Sequence, residues 1–288
     1  IIPIFVPHLG CPNECTFCNQ RKITGQMKNI TENDVIDTIE YYLSNFKEKN
    51  SYKEVAFYGG SFTGIEEELQ DKLLKVVYDY IKEKKIDGIR ISTRPDYIDK
   101  KTLKRLKKYK VKAIELGVQS TNDFILAKCK RGHTYDDVKK ASKLIRRYRF
   151  NLGHQMMIGL PDSTEKDDIK TAQDLIKLKP KIVRIYPVLV IKNTKLEQEF
   201  DSGKYEPLSV EQAVERCKEM LYLFNKHNIE VIRIGLQNTE EITDPKVNPT
   251  KETELENSLK AKYNFDTPTL ELMLKVTSDY ESIKEKLK

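Results

Sequence analysis

Cys11, Cys15 and Cys18 stand in the run Cys11-Pro12-Asn13-Glu14-Cys15-Thr16-Phe17-Cys18, just after an apolar stretch from Ile1 to Val6. Three thiolates at this spacing can hold three corners of a [4Fe–4S] cubane and leave the fourth iron open to a small molecule. Zinc would need a fourth ligand, and Cys129 and Cys217 stand singly, without the second cysteine pair of a structural zinc site. A redox disulfide is the other reading of the motif. His8 is near in sequence but falls at the end of the first strand. Iron–sulfur chemistry with lone thiols implies a reducing compartment. With no leader and no long apolar span, a cytoplasmic location and no membrane partner are expected. The chain starts at Ile1 and not at Met, so a few residues are expected to precede it.

The elements that must position this loop follow from hydrophobic periodicity. Strands are expected at Pro3–Pro7, Glu54–Tyr58, Gly88–Ser92, Ala113–Val118, Asn151–Ile158 and Ile182–Pro187. Helices are expected near Thr31–Glu48, Ile65–Lys84, Asp99–Lys108, Tyr135–Tyr148 and Thr164–Leu178, with Thr31, Asp99 and Ser163-Thr164 as N-terminal caps. A loop from Val188 to Thr194, a helix near Val210–Lys226 and a strand at Glu230–Ile234 continue the pattern. Alternating strands and helices predict an α/β fold, a partial (β/α)6 TIM-like barrel. Residues 1–237 form the core on this reading, 238–254 a linker marked by Pro245 and Pro249, and 255–288 a helical C-terminal extension.

Composition bounds the partners. At 288 residues, 39% hydrophobic and without Trp, the chain can bury a substantial core. Its net charge of +7 is modest, yet Lys100 to Phe150 holds 17 Lys/Arg against 4 Asp/Glu. Such a block suits an anionic partner, nucleic acid first, although solvated helix faces would carry the same residues. On the helix opening at Asp99, Lys100, Lys101, Lys104, Arg105 and Lys108 predict one continuous positive face, with Leu103 and Leu106 turned inward.

In parallel sheets ligands gather at the carboxyl ends of the strands. There the sequence offers Gly59-Gly60-Ser61-Phe62-Thr63-Gly64, Ser92-Thr93-Arg94-Pro95-Asp96 and Glu115-Leu116-Gly117-Val118-Gln119-Ser120. The glycine run alone reads as a turn. Taken with the cysteine loop, Gly25, the run from Ile185 to Lys192 and that from Ile232 to Gln237, these strings resemble the radical S-adenosylmethionine (SAM) superfamily, and within it the radical domain of the Elongator catalytic subunit, over roughly residues 1 to 240.

That resemblance implies roles. Cys11, Cys15 and Cys18 would be the cluster ligands and so the catalytic centre, with Phe17 close to the adenine. Gly59 and Gly60 would receive the methionine amino group, and Ser92 would face the cofactor. Gln119 would meet the ribose, Arg131 the carboxylate, and Gln155 and Met157 the ribose and adenine. His133 reads as a turn residue before a proton donor, and Cys129 and Cys217 as buried small hydrophobes on helices. Coproporphyrinogen oxidases carry a strand-three carboxylate where this chain has Ser92 and Arg94, and a Tyr-x-His-x-Pro string absent here.

The chemistry implied is one-electron reduction by flavodoxin or ferredoxin and cleavage of SAM to methionine and a 5′-deoxyadenosyl radical. Elongator-type enzymes act on wobble uridine in tRNA with acetyl-CoA bound to an acetyltransferase domain. About fifty residues follow Gln237, too few for that domain. The expected function is therefore a radical enzyme acting on tRNA through the segment Lys100 to Arg149, or on another anionic substrate. The alternatives are a radical enzyme for a small metabolite or porphyrin, and an RNA-binding iron–sulfur protein without radical activity.

Overall fold

The computed structural model describes residues 1–6, 10–11, 15–19, 30–46 and 51–235. Its seven strands form one sheet in sequence order: β1 (Ile2–Val6), β2 (Glu54–Gly59), β3 (Gly88–Thr93), β4 (Val111–Gln119), β5 (Asn151–Ile158), β6 (Ile182–Pro187) and β7 (Glu230–Ile234). The pairs β1–β2, β2–β3, β3–β4 and β6–β7 run parallel. Between the strands lie α1 (Glu32–Asn45), α2 (Glu67–Lys82), α3 (Lys100–Lys108), α4 (Asp123–Lys128), α5 (Tyr135–Arg147), α6 (Glu165–Lys177), α7 (Lys195–Asp201) and α8 (Val210–Lys226). The α/β alternation expected from the sequence is present, and the seventh strand joins the same sheet beside β6.

Capping explains several helix starts. Thr31 and Thr164 each accept from an aspartate N–H three residues on while that aspartate receives the cap N–H, and Asp99 accepts from Thr102 N at 2.7 Å. Two helices differ from expectation. α4 and α7 hold only 6 and 7 residues, too short to show a helical period, and the sequence reading gives neither of them a range, although it puts Cys129 on a helix. Cys129 accordingly sits at the C-cap of α4 and not inside a helix. The expected linker and C-terminal extension lie outside the described residues.

The chain divides into two compact units, the first drawn from Ile1–Pro12, Gln26–Gly117 and Asp136–Gly153. In it Val35 and Ile39 of α1, Leu73, Leu74 and Val77 of α2, and Leu103 and Leu106 of α3 are fully buried, as are Val55, Phe57, Ile89 and Ile91 of the sheet. Burial of such side chains contributes roughly 1.5–3 kcal/mol each. Alternate positions carry charge: Arg90 lies 2.7 Å from Glu54 and 3.0 Å from Glu115. Both carboxylates are nearly inaccessible, so the guanidinium between them offsets a desolvation cost neither could meet alone.

The second unit is drawn from Asn13–Gly25, Val118–Tyr135 and His154 onward. α8 buries Ala213, Val214, Cys217, Met220, Leu221 and Phe224 along one stripe. His154 of β5 is buried, and burial pushes its pKa from 6.5 down to about 3. The ring stays neutral in the fold but takes a proton in the unfolded chain, so stability is full above about pH 6.5 and is lost as pH falls toward 3. At pH 5 the loss is about 2 kcal/mol. Denaturant unfolding at pH 7 and 5 should show this drop in the wild type and a smaller one in His154→Gln; equal drops would assign the titration elsewhere.

Candidate functional site

In the first unit the cysteine loop begins against the glycine run that follows β2. A Cβ on Gly10 would lie 2.1 Å from Ser61 O, and one on Gly64 would lie 2.2 Å from Gly10 O, both distances that real Cβ atoms do not tolerate. Gly10 has φ +72°, so two constraints demand glycine there, just before Cys11. Gly59 has φ +102° and closes on Val6, while Gly60 N–H donates to Val6 O at 2.8 Å. The strand end that should meet a ligand is thus backbone on both sides.

Three hydroxyls tie this loop to the end of β3. Thr93 Oγ1 lies 2.8 Å from Ser61 Oγ and 2.6 Å from Thr63 Oγ1, and Arg94 N–H donates to Ser61 Oγ at 3.2 Å. Arg94 turns its side chain to Asp96 with two bonds of 3.0 and 2.8 Å. Ser92 is buried at the end of the same strand. The sequence singles out Ser92 and the glycines; Ser61, Thr63 and Thr93 are missed, because only their proximity in the fold makes them a network.

In the second unit Cys18 N–H donates to Cys15 O at 3.0 Å, a tight turn that sets both side chains on one loop. Thr16 pins that loop by donating N–H to Cys129 O and accepting from Leu196 N–H. Phe17 is buried with Ile125, Cys129, Leu160, Val188 and Leu196, and Cys15, Cys18 and Met157 pack on this cluster. Arg131 Nη1 donates to Cys15 Sγ at 3.2 Å from a buried position. The guanidinium thus places a fixed donor on the sulfur of one of the three cysteines.

Gln119 ends β4 with φ +68° and is buried, and its Oε1 meets no hydrogen-bond partner among the described residues. A buried acceptor left in this way costs roughly 1–3 kcal/mol unless a ligand supplies a donor. Gln155 and Met157 of β5 are half-buried. His133 is buried, with Nε2 3.2 Å from Val118 O, which suits the structural reading. Cys129 and Cys217 are fully buried, and burial pushes both thiols up to about 12.

Beyond β5 the chain is clamped at Gly159, whose φ is +75°. Its N–H donates to Asp168 at 3.3 Å and its C=O accepts from Tyr205 Oη at 2.8 Å, while Arg216 holds Asp168 at 2.7 Å. Burial pushes Asp168 up to about 6, with Arg216 working against the rise. None of the three partners stands out in the sequence, since they lie on α6, α8 and the loop after α7.

Cys11, Cys15 and Cys18 are half-buried and outside any disulfide. Among the described residues no group of three or more His, Cys, Asp and Glu is gathered at metal-binding distance. The fit to an iron–sulfur cluster therefore rests on donor chemistry: soft thiols, a guanidinium on one of them, and a buried amide oxygen that lacks a donor. Among the described residues no helix is long and apolar enough to cross a membrane.

The Radical SAM superfamily model matches residues 5–175, and the Radical SAM C-terminal domain model matches residues 180–261. A tRNA uridine(34) acetyltransferase of Methanocaldococcus jannaschii is 32% identical over 182 residues, 56% of this chain and 34% of the relative. An uncharacterized protein of the same organism is 31% identical over 219 residues, 73% of this chain and 63% of the relative. The structure is similar to that of an archaeal Methanocaldococcus infernus Elp3 lacking its N-terminus, with TM-score 0.64, 25% identity, and coverage of 82% of this chain and 59% of that one. This likeness shows the expected fold class, the α/β partial barrel of the radical SAM type. The chain spans about a third of the length of the first acetyltransferase relatives it matches.

Proposed function

The chain belongs to the radical SAM superfamily, and from that premise we propose that it holds a [4Fe–4S] cluster on Cys11, Cys15 and Cys18 and cleaves S-adenosylmethionine reductively while modifying tRNA. The observation that carries this reading is the buried guanidinium of Arg131 at 3.2 Å from Cys15 Sγ, within a three-cysteine motif. When bound, the cluster supplies one electron, received from flavodoxin or ferredoxin, for C–S cleavage to methionine and a 5′-deoxyadenosyl radical.

The residues of the chain bind and orient. Gly59 and Gly60 leave backbone open to the methionine amino group, with Ser92 beside them. Arg131 has the fork geometry to take a carboxylate bidentately and stays charged throughout. Gln119 Oε1 accepts from a ribose hydroxyl, which answers its missing donor. Gln155 and Met157 line the ribose and adenine, and Phe17 closes the apolar side, so that water is kept from the reacting bond. A tRNA substrate is supported by the names of the acetyltransferase relatives and by the basic stretch Lys100 to Arg149.

Anaerobically reconstituted protein with dithionite and SAM should form 5′-deoxyadenosine and methionine, and added tRNA should raise the yield. A reconstituted cluster that yields neither product would defeat the reading. Arg131→Met should retain some cluster but lower SAM affinity about ten- to a hundredfold, the cost of one charged hydrogen-bonded pair. Unchanged SAM affinity by calorimetry would confine Arg131 to supporting Cys15.

A further inference from the structure

α3 does not present the continuous positive face expected from its sequence. Lys101 Nζ lies 2.7 Å from Glu67, and Arg105 lies 3.1 Å from the same carboxylate and 3.9 Å from Asp71, so both are paired with acids of α2. Lys100, Lys104 and Lys107 turn elsewhere. With Arg147, Tyr148 and Arg149 at the end of α5, they line a cleft of about 640 Å3 that has five cations and no carboxylate. None of the five forms an ion pair among the described residues, and all are exposed. Lys107 also donates to Tyr148 O and lies 5.3 Å from the Phe150 ring centroid, which fixes one wall of the cleft to the other.

Five like charges converging on one cleft repel each other and attract anions, and a polyanion relieves the repulsion while releasing the counterions that screen it. Lys100 to Lys107 covers roughly 10 Å along the helix axis, about three phosphate steps of one nucleic-acid strand. Tyr148 is half-buried within the ring of cations, where an aromatic face can stack on a base. We infer that this cleft between α3 and the end of α5 is a binding site for RNA backbone phosphates, engaging about three of them. The inference rests on the reading of RNA as substrate and adds the surface that holds it; it does not depend on the cluster.

The test compares two triple variants of the reconstituted protein, using a tRNA transcript as probe across a salt titration. Lys100→Gln, Lys104→Gln and Arg147→Gln together should cut affinity about a hundredfold at 0.1 M salt and flatten the salt slope by about two to three units. Lys101→Gln, Lys139→Gln and Lys140→Gln remove the same charge, but from residues paired with Glu67 and Asp136, and should change neither quantity by more than about one third of that. 5′-Deoxyadenosine formation without RNA should be the same in both. Equal loss in the two variants, or none in the first, would overturn the cleft while leaving SAM cleavage and RNA binding in place. Displacement of the transcript by poly-glutamate as readily as by competing RNA would instead assign the cleft to acidic protein. No binding of the transcript by wild type would overturn the cleft and the RNA reading together.

Discussion

Cys15→Ala is expected to abolish the brown chromophore and all 5′-deoxyadenosine formation, whereas Cys217→Ala leaves both intact. A cubane left with two protein ligands loses a corner: Arg131, the group at Cys15 Sγ, is a donor only, and the nearby Cys129 is fully buried with its thiol pushed up to about 12. Cys217 is equally a cysteine, but it is fully buried on α8 and burial raises its thiol to about 12, so it is neutral and shielded at pH 7. Its truncation removes one buried sulfur, a cost of about 1 kcal/mol in stability. Iron and sulfide content, the visible spectrum and product yield check both variants. Unchanged iron in Cys15→Ala, or cluster loss in Cys217→Ala, would reverse the ligand assignment.

Gly64→Ala should be almost as damaging, although residue 64 has no donor atom. Its Cβ would fall 2.2 Å from Gly10 O and 3.0 Å from Gly10 C, both backbone atoms without a rotamer to move. Either the glycine run or the Gly10–Cys11 segment must shift, and overpacking of this kind costs roughly 1–3 kcal/mol. The sheet should survive, as Phe57 and Phe62 remain packed 4.8 Å apart between centroids. Most of the iron should be lost, because Cys11 follows the displaced glycine directly. Gly203→Ala is the control: it meets nothing within 4 Å but has φ +70°, so it should cost about 1 kcal/mol and keep full iron. Full iron and normal SAM cleavage in Gly64→Ala would show that the close approach of the two glycines does not set the cysteine loop.

Seven strands and the longer helices were legible because each repeats its apolar period often enough to be counted. β5 and β6 begin and end where the pattern places them, at Asn151–Ile158 and Ile182–Pro187. α4 and α7 were not legible, since one or two turns carry no period. At the site the cysteines announce themselves by spacing, but what holds them does not. Gly10 and Gly64 are 54 positions apart, and Arg131 reaches Cys15 across 116, so neither contact leaves a local signature. The clamp on Gly159 by Asp168 and Tyr205 is hidden for the same reason. Charge misled in one place: Lys101 and Arg105 share α3 with Lys100 and Lys104, and only the position of Glu67 on α2 separates paired cations from those that face the cleft.

On the proposed function three cysteines leave one iron open and SAM occupies it. Electron–nuclear double resonance on the reduced, reconstituted protein tests this directly, with SAM carrying 15N at the amino group or 17O at the carboxylate. A hyperfine coupling is expected from each label, with weakening of the carboxylate signal in Arg131→Met. A cluster spectrum that is indifferent to SAM, with no coupling from either label, would mean that SAM does not occupy the open iron.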